Sequence, residues 1–101
     1  MPLARQFDVF RVEGAGLVVV VQSDLVEAMA TRVVVPLLAA GAAGKRIYGL
    51  DPEIAFGDEV LVLMPQLAAT LTLAELGRPV GSVAHMRDAI MRALGTLLSG
   101  V

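Results

Sequence analysis

The run SVAHMRDAIMRALGTLLSGV, Ser82 to Val101, decides the fold. Val83, Met86, Ile90, Ala93, Leu94, Leu97 and Val101 recur at helical spacing, which puts them on one stripe that faces a core. Ser82 stands where an N-cap is expected, its oxygen able to accept from first-turn amides. His85, Asp88, Arg92, Thr96 and Ser99 form the wet face, with Asp88 and Arg92 spaced as an i,i+4 ion pair. Met91 and Leu98 lie beside the stripe, and the chain ends Leu98-Ser99-Gly100-Val101 with no polar tail. Loose ends gain nothing from apolar side chains, so this one packs internally, pairs with a second copy or enters a partner.

Working back from that helix, the chain reads as short strands. Gln6 to Val12 carries the aromatic alternation Phe7-Asp8-Val9-Phe10 of a half-buried strand, and Glu13-Gly14-Ala15-Gly16 turns it. Leu17 to Gln22 is β-branched enough for a strand covered on both faces, and Ser23-Asp24 ends it. Leu25 to Thr31 is a connection whose Leu25 and Val26 are apolar where a loop is normally polar. Arg32 to Leu38 is strand again, and Pro36 implies an edge or the last ladder positions. Ala39 to Gly44 is a small-residue loop, followed by coil as far as Pro52. Glu53 to Phe56 and Glu59 to Met64 make a hairpin about Gly57-Asp58, Thr70 to Ala74 reads as a final strand, and Gly77 to Gly81 leads into the helix. The expectation is a mostly β domain with one C-terminal α-helix, a small barrel or curled sheet of five to seven short strands with the helix packed on it. No linker or repeat divides residues 1–101, so a single domain is expected.

Composition narrows the function. At 101 residues the chain can hold a core, and 56% hydrophobic against 18% charged residues leaves apolar side chains to spare for an interface, most simply a homodimer. A net charge of -2 with eight scattered Lys and Arg lacks the footprint of a nucleic-acid groove. No cysteine means no disulfide, thiolate site or Cys nucleophile, and a lone histidine does not make a zinc site. The apolar runs are broken at Gln22, Pro36 and Pro65, short of the ~20 residues that span a bilayer, and no leader pattern opens the chain, so a soluble, cytoplasmic protein without a cofactor is expected.

Chemistry is thinly provided. Gly41-Ala42-Ala43-Gly44-Lys45 looks like a phosphate loop, but Ala39 and Arg46 occupy the places of its required Gly and Ser or Thr. Gly14-Ala15-Gly16 precedes a strand and is no dinucleotide fingerprint. His85 falls on the wet helix face with nothing to orient it, and Glu53, Asp58 and Glu59 flank a tight turn, where acidic residues serve structure. Binding is the better reading.

Several motifs, in order, carry a resemblance. Gln6-Phe7-Asp8-Val9-Phe10, Val21-Gln22-Ser23-Asp24, Arg32-Val33-Val34-Val35-Pro36-Leu37, Gly57-Asp58-Glu59, Gly77, His85, Ile90, Ala93 and Gly100 are similar to the CcdB toxins of type II toxin–antitoxin systems. The likeness covers nearly the whole chain, with a shortened loop at Arg11 to Gly16. It implies an SH3-like small β-barrel with a C-terminal helix, a homodimer, the A subunit of DNA gyrase as target and neutralisation by a CcdA-like antitoxin whose tail folds on binding. It implies a topoisomerase poison and not an enzyme, with no direct nucleic-acid or membrane binding.

The resemblance also implies the site. In the family the helix ends Phe-Trp-Gly-Ile, and the Trp stacks on a target arginine; the matching residues here are Leu98, Ser99, Gly100 and Val101. Ser99 cannot supply that cation–π contact, worth ~2 kcal/mol once desolvated. Gly95 replaces a polar residue one turn earlier, and Leu25 and Val26 replace an isoleucine pair. The expected target-binding set is therefore Leu25, Val26, Gly95, Leu98, Ser99, Gly100 and Val101. The alternatives are a degenerate non-toxic homologue that still binds antitoxin and an endoribonuclease toxin of the MazF type on the same barrel.

Overall fold

The computed structural model describes residues 4–100. β1 (Asp8–Val12) and β2 (Gly16–Val20) pair as a hairpin, and a 3-10 turn (Asp24–Val26) leads to β3 (Thr31–Leu38). After a single helical turn, α1 (Ala40–Ala43), come β4 (Glu53–Phe56), β5 (Glu59–Leu63), a 3-10 turn (Pro65–Leu67) and β6 (Ala69–Thr72). A second short helix, α2 (Leu73–Leu76), the two-residue β7 (Gly81–Ser82), a 3-10 turn (Ala84–Met86) and α3 (Arg87–Ser99) complete the order. The strands form one antiparallel sheet in the order β4-β5-β3-β2-β1-β7, with β6 added to β3, curled into a nearly closed barrel. This is the expected mostly β fold with its C-terminal helix.

Alternation along the strands builds two main cores, one on each face of the sheet, beside a smaller cluster of Ala43, Val62 and Met64. Val9, Val19, Val35, Leu37, Ile54, Leu61 and Leu63 pack with Ile90 and Ala93 of α3. Phe10, Val18, Val20 and Val34 point the other way and pack with Leu76 of α2. β2 is covered on both faces as its composition indicates. β1 is too, since Val9 and Phe10 are both sealed, so it is more than the half-buried strand expected.

The barrel's seam lies between the end strands β4 and β7. The Phe56 ring covers Gly81 so closely that a Cβ there would sit 2.6 Å from a ring carbon. His85 Nε2 lies 3.0 Å from the Ala55 carbonyl oxygen, a second tie across the seam. Pro36 is inside the sheet, paired with Val18, at the point where β3 changes neighbour: β6 pairs as far as Val34 and β5 from Leu37. Its carbonyl still accepts from Met64 N, and its missing donor falls at the end of a ladder, where it costs least.

Four local expectations are corrected. The strand read at Thr70 to Ala74 stops at Thr72, because Thr72 and Glu75 form a capping box that starts α2: Glu75 N donates to Thr72 Oγ1 (3.2 Å), and Thr72 N donates to Glu75 Oε1 (2.8 Å). Ser82 pairs with Asp8 in β7, and its hydroxyl accepts from Ala84 N ahead of a 3-10 turn, so α3 proper begins only at Arg87. Asp88 and Arg92 form no ion pair; the one salt bridge among the described residues is Arg46–Glu53 at 3.1 Å. Holding two long side chains together in water gains little. Leu97, expected in the buried stripe, is exposed, while Ile90 and Ala93 are sealed and Leu94 is half-buried: the stripe is buried only as far as the barrel reaches beneath it.

Candidate functional site

The last turns of α3 place four of the expected residues together. Leu98 is 80% exposed, and Met91, one heptad earlier, and Leu97 are exposed to about half that extent, 38% and 40%. Gly100 adopts the left-handed conformation (φ 75°, ψ 14°) that glycine enters without penalty, and its N–H closes the helix on Thr96 O at 3.0 Å. The Ser99 hydroxyl donates to Gly95 O at 2.9 Å, so it is turned back on its own helix. Thr96 does the same to Arg92 O. The free surface of the helix end is thus apolar, with Leu98 its most prominent side chain. Val101 lies outside the described residues.

Leu25 and Val26 occupy the 3-10 turn Asp24–Val26, which buries no residue at all. Leu25 is 95% exposed, and Met29 just beyond it is half-exposed. Polar contacts hold the turn instead. Ser23 Oγ accepts from Leu25 N (3.1 Å), Gln22 Nε2 donates to Val26 O (3.3 Å), and Asp24 Oδ1 accepts from Gln6 N (2.8 Å). Gln22 Oε1 also accepts from Val33 N, which stitches the turn to β3. The Gln22-Ser23-Asp24 motif is therefore the scaffold of this turn. Besides the strand core, α3 lies against the 3-10 turns Pro65–Leu67 and Ala84–Met86.

A third feature escaped the sequence reading. A groove of about 860 Å³ opens between the turn at residues 46–52 and α3, lined by Ile47, Tyr48 and Asp51 on one side and by Arg92, Ala93 and Thr96 on the other. Tyr48 is fully exposed. Asp51 is buried, its Oδ2 accepting from Ile47 N at 2.7 Å to close the turn. The lone tyrosine, set between Gly44 and Gly49, was the signal available.

The residues considered for catalysis are placed apart from any such arrangement. His85 ties the seam, Glu53 pairs with Arg46, and Asp58 and Glu59 stand exposed at the β4–β5 hairpin. Among the described residues no three of His, Cys, Asp and Glu gather to hold a metal ion, and no helix is long and apolar enough to cross a membrane.

A family model described as CcdB protein matches residues 6–100. The chain belongs to the CcdB family. Its class is that of the toxins in toxin–antitoxin pairs. Among solved structures, an endoribonuclease from mycobacterial species superposes with a TM-score of 0.80 at 23% identity, over 97% of this chain and 93% of that one. An endoribonuclease in complex with its cognate antitoxin, also mycobacterial, gives a TM-score of 0.77 at 23% identity over 93% of each chain. At that identity the likeness establishes a shared fold, so this CcdB-family barrel and those ribonucleases are variations on one architecture.

Proposed function

We propose that this protein is the toxin of a toxin–antitoxin pair that acts without catalysis, as a homodimer whose helix ends bind the A subunit of DNA gyrase. The observation that carries the reading is the helix end itself: an exposed Leu98 whose neighbouring hydroxyl is spent on a carbonyl of its own helix, in a CcdB-family chain. Burying such a leucine in a partner is worth roughly 1.5–3 kcal/mol. Leu25 and Val26 supply a second apolar contact from the barrel, Gly95, Ser99 and Gly100 shape the helix end, and Val101 belongs to the same target-binding set. A CcdA-like antitoxin neutralises it.

Growth is the direct test. The full chain, expressed in a host that carries the cognate gyrase, stops growth, and the chain ending at Leu98 does not; equal growth in both cultures sinks the proposal and favours a non-toxic, antitoxin-binding homologue. A second reading, an endoribonuclease toxin, is favoured by the two structural neighbours named as such. Arg46, Tyr48 and Arg92 around the groove are the groups an RNA would meet there, charge for phosphate and ring for base. Long single-stranded RNA incubated with the purified protein stays intact under the gyrase reading and is cut under this one.

A further inference from the structure

Arg32, at the start of β3, is 3% exposed, and among the described residues no carboxylate lies within salt-bridge distance of it. A buried charge left alone costs several kcal/mol, so its surroundings must replace both water and counterion. Backbone carbonyls do so. Nε donates to Ala4 O at 3.0 Å, Nη1 to Met29 O at 2.6 Å and Thr31 O at 2.9 Å, and Nη2 to Glu27 O at 3.0 Å. Two of these carbonyls, from residues 27 and 29, belong to the stretch that joins the Leu25 turn to β3, and a third, from Thr31, opens β3 itself. Every side chain from Ser23 to Ala30 is exposed, so no apolar packing fixes this stretch.

A planar guanidinium presents five donors in a rigid fork, whereas an ammonium is a point charge with no preferred plane. Alternate carbonyls of one segment converge on that fork only when the segment takes this path. We infer that Arg32 is a positioning residue for the surface at Leu25 and Val26: it never touches the partner, and it sets the loop that does. The inference rests on the reading that Leu25 meets the target. Its mechanism is preorganisation, because a loop already ordered loses less entropy on binding.

Arg32→Lys keeps the charge and discards the fork. Hydrogen exchange of the full-length protein then shows the amides of residues 25–29 exchanging about tenfold faster, while those of Val19 and Val35 stay protected. Binding to the A subunit of gyrase weakens about tenfold, the loss expected from one to two charge-assisted hydrogen bonds that order a contact loop. In a double-mutant cycle the same substitution costs less than about twofold once Leu25→Ala is present, since both act on one contact. Unchanged exchange at residues 25–29 overturns the inference, as does full additivity with Leu25→Ala. So does loss of protection across the barrel, which would make Arg32 a residue of global stability only. Failure of the unsubstituted protein to bind the gyrase subunit sinks the target reading instead, and loop exchange alone then decides the role of Arg32.

Discussion

The helix that carries Leu98 is anchored by Ile90 and Ala93, both sealed in the core, whereas the turn that carries Leu25 buries no side chain and is held by hydrogen bonds. Both present a leucine to water, by opposite means. The helix is fixed by area removed from water, a force without direction that tolerates exchange of one apolar group for another. The turn is fixed by donors and acceptors in set directions, which a single atom can undo. Mutations should therefore separate the two.

The largest expected effect is at the anchor. Ile90→Ala removes a fully buried side chain from under the helix and costs roughly 2–5 kcal/mol of unfolding free energy by urea titration, against less than about 0.5 kcal/mol for Leu25→Ala. Similar losses from the two would break the contrast. Ser99→Trp, next in size, gives the helix end an aromatic ring; gyrase binding tightens about thirtyfold if that ring gains the ~2 kcal/mol of a desolvated cation–π contact. No change in affinity would mean that the helix end does not face a cation in the target.

At the seam, Gly81→Ala forces the Phe56 ring aside and lowers stability by about 1–3 kcal/mol in thermal unfolding. A loss below about 0.5 kcal/mol would show that the ring moves freely and that β4 and β7 are not held together there. The smallest effect is pH-dependent. Hydrogen bonds from the Thr72 backbone and then its hydroxyl hold the Glu75 carboxylate below its ordinary value. A folded pKa that is depressed stabilises above the ordinary value, and that contribution is lost as pH falls through the depressed one. The melting difference between the protein and Glu75→Ala should thus be present at neutral pH and shrink as the pH falls below the ordinary carboxylate range; a difference that grows in acid would contradict the capping box.

The same contrast explains what could be read beforehand. Apolar periodicity reports burial, so the terminal helix, the β1–β2 and β4–β5 hairpins and the doubly covered β2 were visible in the pattern of Val, Leu and Ile. Polar jobs leave no period. Thr72, Leu73 and Ala74 read as the end of a strand because the alternation Thr-Leu-Thr-Leu runs into the capping signature, which only the side chain of Glu75 completes. Ser23 and Asp24 read as the end of a strand, which their bonds to backbone amides bear out, whereas Gln22 and Arg32 stand out only as markers of a resemblance, since their partners come from residues 4 and 26–33. Helical spacing puts Leu97 in the core because it cannot tell where the barrel beneath stops. The groove at Tyr48 needed two segments about forty residues apart to meet.

Gyrase-dependent cleavage of plasmid DNA shows whether the helix end acts as a poison. With gyrase, ATP and supercoiled plasmid, the full chain yields linear DNA on denaturation, and the chain ending at Leu98 yields none. Absence of linear DNA with the full chain, at concentrations where it arrests growth, would contradict a poison that works through its helix end.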